Sequence, residues 1–139
     1  MSTETAQPKK PGRSIDLEYG WSIEDNIIVA AGKGFEVIRA SPSRLLLDLD
    51  DAASLARYQS MKPIVASHWA ISEVGRWHSK SGRGFHVEIA CDIPCFLTRV
   101  ALQLALGSDP KREALAVAMF LDGIPEPSCL FKPRQEPTP

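Results

Sequence analysis

Residues 44–51, RLLLDLDD, carry the reading on which the fold turns. An apolar run with no glycine or proline ends in acids, and this predicts a strand. Side chains alternate across a strand, so Leu45, Leu47 and Leu49 share one face while Leu46, Asp48 and Asp50 share the other. Cα atoms two residues apart in a strand are separated by about 6.5–7 Å. Two carboxylates on one face at that spacing can converge on a divalent cation or a close pair of cations. Mg²⁺-like ions select carboxylate oxygens and keep waters or phosphates as their remaining ligands. The plainer alternative is a solvent-facing strand end, with Asp51 capping the helix that follows.

Outward from this strand, the chain alternates short strands with amphipathic stretches. FEVIRA (35–40) precedes it across the turn SPS, which predicts a hairpin. Residues 51–61 have helical spacing at Ala52, Leu55 and Tyr58, and Pro63 is expected to limit that helix. ISEVGRWHSK (71–80) and GFHVEIA (84–90) flank SGRG and predict a second hairpin. CFLTRVALQLALG (95–107) is apolar at helical spacing and stops at Gly107. DPKREALAVAMFLDG (109–123) opens with Asp109 as N-cap and Pro110 at the first helical position, and ends at Gly123. Upstream, Ser22 and Asp25 form a capping box for a helix that Gly32 or Gly34 can end. SCLF (128–131) is expected to join the sheet as a C-terminal strand. The expected fold class is therefore α+β: a small, mainly antiparallel sheet of two hairpins plus that strand, covered by helices.

The chain has 139 residues, 44% hydrophobic and 24% charged, which fits a single globular domain with its own core. Residues 1–14 and 133–139 read as polar, Pro-rich tails around one domain spanning 15–132. A net charge of −1 means that a nucleic-acid partner has to be met by a local basic patch. Three cysteines, two of them spaced C-x3-C without a second pair, suit a reducing compartment better than a disulfide framework or a zinc site. No apolar run nears the roughly 18–20 residues needed to span a bilayer, and there is no signal-peptide core. The expectation is a cytoplasmic protein without a membrane partner.

The second hairpin carries unusual chemistry. In SKSGRGFHVEI (79–89), Ser79, Lys80, Ser81 and Arg83 surround Gly82 and Gly84, and His86 follows on the strand. Amides in a glycine-bearing turn can approach an anion closely, cations add charge complementarity, and an imidazole can donate to a phosphate. Read singly, the stretch also fits a hairpin whose glycines supply positive φ and whose cations are simply solvated.

Together, the two segments resemble the archaeo-eukaryotic primase (primase-polymerase) superfamily in a minimal phage or mobile-element form. The resemblance rests on the hydrophobic–Asp–hydrophobic–Asp motif Leu45–Asp50 and on Gly84–Phe85–His86 behind a Ser/Gly-rich turn, and it covers residues 35–90. It implies an RRM-like primase-polymerase core. It also implies Asp48 and Asp50 as ligands of Mg²⁺ or Mn²⁺, and His86 as a triphosphate contact helped by Ser79, Lys80, Ser81 and Arg83. The implied partners are nucleoside triphosphates, a DNA or RNA template and other replication proteins.

The family pattern calls for a third acid on a later strand, and SCLFKP supplies none. Asp109 and Asp122 remain, although Asp109 before Pro110 also reads as a helix cap. Trp77 is a candidate stacking surface, and Lys111 and Arg112 are candidates to touch a phosphate backbone. Three functions follow: a metal-dependent nucleotidyltransferase in DNA replication or repair, a non-catalytic nucleic-acid-binding accessory on the same fold, and a metal-dependent nuclease using the same acids.

Overall fold

The computed structural model describes residues 32–79 and 81–134. The helix expected over 22–34 lies outside these residues except at its last positions, as do the N-terminal tail, Lys80 and residues 135–139. The described chain runs β1 (Phe35–Arg39), β2 (Arg44–Leu49), α1 (Ala52–Ala66), β3 (Ser72–His78), β4 (Phe85–Ala90), α2 (Phe96–Ala105), α3 (Pro110–Leu121) and β5 (Cys129–Pro133). The class is α+β, with small sheets and three helices among the described residues. The described residues divide into two compact units, Arg39–Leu130 and a second made of residues 32–38 and 131–134. In the described part of the second unit, the Arg134 amide donates to the Gly34 carbonyl at 2.8 Å.

The larger unit is built on a three-stranded sheet ordered β2-β4-β3, antiparallel throughout. The β3–β4 hairpin forms as its turn residues predict. The sheet's inner face is Leu45, Leu47, Leu49, Val87 and Ile89, packed with Tyr58 and Val65 of α1, Leu102 of α2 and Leu106 at its C-cap. Those five strand side chains are fully buried, each worth about 2 kcal/mol relative to exposure, as an upper bound. Leu46 is fully buried too, so β2 is covered on both faces. This is why three leucines run consecutively instead of alternating with polar residues.

Two strand expectations are corrected. β1 does not form a hairpin with β2, and β5 does not join the three-stranded sheet; β1 and β5 pair with each other. The chain does turn at Ser41–Arg44, where the Arg44 amide donates to the Ser41 carbonyl at 3.2 Å. But both edges of β2 are already taken. One pairs with β4 through the Leu45, Leu47 and Leu49 positions. On the other, the Leu46 amide donates to Gln103 Oε1 at 2.9 Å and the Asp48 amide to Ser108 Oγ at 3.0 Å. The Leu46 carbonyl accepts from Arg112 Nη1 at 3.4 Å, and the Asp48 carbonyl from the Asp109 amide at 2.9 Å. No hydrogen-bonding edge is left for β1, whose continuation at Ala40 donates instead to the Ser128 carbonyl at 3.0 Å.

The helix after β2 also runs past its expected limit, through Pro63 to Ala66. Proline there removes only the donor that would meet the carbonyl of Gln59, an exposed residue that water can serve. Extending the helix buries Val65 in the core. Asp51 caps the N-terminus as read, accepting from the Ser54 amide at 2.9 Å. The α2–α3 connection follows the residues closely. Gly107 (φ +100°) takes the left-handed position after α2, and the Ser108 amide returns to the Gln103 carbonyl at 3.0 Å. Asp109 then caps α3 and Pro110 opens it.

Candidate metal centre

Asp48 and His86 occupy opposite positions on adjacent strands, so their side chains emerge on the same face of the sheet. Because Leu46 and Asp48 point their backbone groups to the open edge, Asp48–His86 is a non-hydrogen-bonded pair of the ladder. In antiparallel sheets such pairs bring side chains closest together. Here His86 Nε2 lies 3.4 Å from Asp48 Oδ1. One strand further, Trp77 pairs with His86 and meets its ring edge-on, with centroids 6.0 Å apart. A single row therefore runs across the sheet as Trp77, His86, Asp48. His86 Nδ1 is buried and has no hydrogen-bond partner among the described residues.

Asp50 stands one step past the end of β2, and Asp109 arrives from the other side with the α2–α3 turn. Asp48, Asp50 and Asp109 each offer a carboxylate oxygen, all within 4.8 Å of one another. Oxygens on opposite sides of one hard cation are about 4–5 Å apart, so three carboxylates at this span could hold a hard divalent cation. Asp109, a candidate acid that also reads as a helix cap, joins this cluster from the N-cap of α3. Asp109 serves both ends: its Oδ1 accepts from the Lys111 amide at 3.1 Å, and a carboxylate keeps acceptor capacity beyond one such bond. Asp122 sits at the far end of α3, about 20 Å along the helix axis from Asp109, and takes no part in the cluster.

Three carboxylates at this distance repel each other. The Asp50 carboxyl is pushed up to about 6, first by partial burial and then by the charges of Asp48 and Asp109. Asp48 goes the other way. Burial works to raise it, but the His86 ring and the Arg112 guanidinium outweigh burial and hold it below its ordinary value.

The expected phosphate turn is self-capped. The Gly84 amide donates to Ser79 Oγ at 3.3 Å and the Arg83 amide to Ser81 Oγ at 3.2 Å, and the two hydroxyls are 3.1 Å apart. The amides of Arg83 and Gly84 are thus engaged by the serines, while Arg83 is exposed and Lys80 lies outside the described residues. Gly84 is required at its position for another reason. A side chain there would collide with the carbonyl of Leu49 and stand 2.9 Å from the backbone of Asp50. The turn is seated directly on the segment that presents Asp50.

Arg112 departs from its expected role on a phosphate backbone. Its guanidinium bonds the carbonyls of Leu46 and Cys129 and the Glu113 carboxylate, at 3.4, 3.1 and 2.8 Å. Only 10% of its side chain is exposed. The unpaired carbonyls beside β2 need a multidentate donor, and arginine supplies one. Lys111, one residue earlier, is exposed. Sequence reasoning missed Gln103, Ser108 and Glu113. The available signal was that Gln103 and Glu113 fall on the apolar stripes of their helices, in line with Phe96 and Val100 and with Ala116 and Phe120.

Comparison with family models, with curated proteins and with solved structures finds no match to this chain. Among the described residues, no helix is long and apolar enough to cross a membrane.

Proposed function

We propose that this chain is a metal-dependent nucleotidyltransferase of primase-polymerase type, acting on nucleoside triphosphates and a nucleic-acid strand. The observation that carries the reading is one constellation: Asp48 and His86 paired across the sheet, with Asp50 and Asp109 completing a carboxylate triad beside them. Asp48, Asp50 and Asp109 are the residues that would hold Mg²⁺ or Mn²⁺. When bound, such an ion activates a hydroxyl nucleophile and neutralises charge on a leaving pyrophosphate.

The protein's own groups do the rest. Asp50, raised by partial burial and by its neighbours' charges, is an acid whose ionised form gains most from an opposing positive charge. His86 faces Asp48 through Nε2 at 3.4 Å, and with an ion taking up the Asp48 charge this N–H would turn to a phosphate oxygen of the substrate. Arg83, on the turn seated against Asp50, supplies positive charge toward the polyphosphate. Trp77 extends the same row as an apolar surface for a base. In this reading the fold corresponds to the RRM-like core of the resembled superfamily, with the metal-holding strand at its edge.

The test is incorporation of labelled nucleotide on primed and unprimed templates in Mn²⁺, alongside calorimetric titration with a nucleoside triphosphate. Incorporation lost in Asp48→Ala and Asp50→Ala is the expected result. Absence of nucleotide binding by the folded wild-type protein in Mn²⁺ refutes the proposal.

A further inference from the structure

Glu113 is fully buried, which is rare for a glutamate without a task. Its Oε1 accepts from Gln103 Nε2 at 2.8 Å. Its Oε2 accepts from Ser108 Oγ at 2.7 Å and from Arg112 Nη1 at 2.8 Å. These donors are the same three side chains that satisfy the open edge of β2. Gln103 turns its Oε1 to the Leu46 amide, Ser108 turns its oxygen to the Asp48 amide, and Arg112 reaches the Leu46 carbonyl. One carboxylate thus fixes the polarity of the whole edge. Gln103 can accept from the strand only because its Nε2 has the carboxylate to donate to. Ser108 sends its proton the same way and so keeps its lone pairs turned to the Asp48 amide. The fourth edge bond, from the Asp109 amide to the Asp48 carbonyl, belongs to the residue next to Ser108.

We propose that Glu113 is the positioning residue of the carboxylate centre, clamping the α2–α3 turn onto the edge of β2 and so setting Asp109 beside Asp48. The inference rests on the metal-centre reading for its consequence, not for its geometry. A ligand set built from a strand and a separate helix cap holds its spacing only if the two elements cannot slide. The four edge bonds supply that constraint, and Glu113 orients three of the four partners. A glutamine at 113 has one carbonyl oxygen in place of two, so it must present an N–H₂ to donors on one side. Either Gln103 has to flip and lose the Leu46 amide, or the N–H₂ faces Ser108 and Arg112, so that Ser108 has to redirect its proton and Arg112 Nη1, which also reaches the Leu46 carbonyl, loses its acceptor.

The experiment uses the full chain as Glu113→Gln and Ser108→Ala, with Val65→Ala as a variant that weakens the core from α1. Amide hydrogen exchange is followed at Asp48 and Asp109, with Val87 on β4 as internal reference, and Mn²⁺ affinity is read by calorimetry. In both edge variants, exchange at Asp48 and Asp109 is expected to accelerate at least tenfold relative to Val87. Mn²⁺ is expected to bind about tenfold more weakly, as for other residues that orient metal ligands. Val65→Ala loses thermal stability but keeps wild-type values in both readouts. Unchanged exchange at Asp48 and Asp109 overturns the clamp. Accelerated exchange with wild-type Mn²⁺ affinity overturns the positioning role. If the wild type itself binds no Mn²⁺, the metal reading of the triad fails, and exchange alone then decides whether Glu113 clamps the turn.

Discussion

Replacing Asp50 with asparagine separates a group kept for stability from one kept for function. In the metal-free protein the Asp50 carboxyl is raised from 3.8 to about 6, by partial burial and by the charges of Asp48 and Asp109. A carboxyl raised on folding opposes folding wherever it has to ionise. The penalty is absent below its unfolded value near 3.8 and complete above about 6. A rise of that size corresponds to about 3 kcal/mol at full strength, and solvent screening of this exposed residue brings it to about 1 kcal/mol. The asparagine carries no charge and can donate to Asp48, so Asp50→Asn is expected to be about 1 kcal/mol more stable than wild type at pH 7.5 in chelator. The advantage shrinks toward zero as pH falls to about 4, where wild-type Asp50 is protonated in the folded state. Urea unfolding at both pH values measures this. Adding Mn²⁺ at the higher pH reverses the order: at about a hundred times its Kd, a bound ion stabilises the wild type by about 2.7 kcal/mol and the variant by much less. A variant less stable than wild type in chelator, or equal Mn²⁺ stabilisation of both proteins, refutes the reasoning.

Asp109→Ser keeps a good helix N-cap but removes a ligand charge, so urea stability should stay within about 0.5 kcal/mol of wild type. Calorimetry should show Mn²⁺ affinity at least tenfold lower, and unchanged affinity would leave Asp109 as a cap alone. Gly84→Ala places a methyl group against the backbone of Leu49 and Asp50, which cannot move aside as a side chain would. It is expected to cost about 2–3 kcal/mol in urea unfolding and to weaken Mn²⁺ binding through displacement of Asp50.

Much of the centre was legible in residues 44–51 and 84–90, because strand alternation is a local property. Three leucines that must be buried fix which way Asp48 points, whatever the rest of the chain does. The turn chemistry of Gly107 and Pro110 was equally local and was read correctly, while of the two hairpin glycines offered for positive φ only Gly82 (φ +76°) takes it. Partner choice was not legible. FEVIRA carries the same apolar signal whether it pairs with β2 or with β5, and nothing inside the segment says that both edges of β2 are occupied. Nor did Arg112 announce itself: a cation in the first turn of a helix reads as solvated until the carbonyls of Leu46 and Cys129 are placed before it.

By itself, then, the sequence determined the α+β class, the caps at Asp51 and Asp109, the second hairpin and the alternation that puts Asp48 opposite Leu47 and Leu49. Each of these is set by steric and hydrogen-bonding preferences acting within a few residues. That His86 emerges on the same face as Asp48 came from the strand register. Only the tertiary structure decided that Asp109, remote in sequence from Asp48, stands within carboxylate reach of it. It alone decided that Glu113, Gln103 and Ser108 seal the strand edge between them. Those relations depend on how two helices seat against one strand, and that follows from burial of the whole core rather than from any stretch of it.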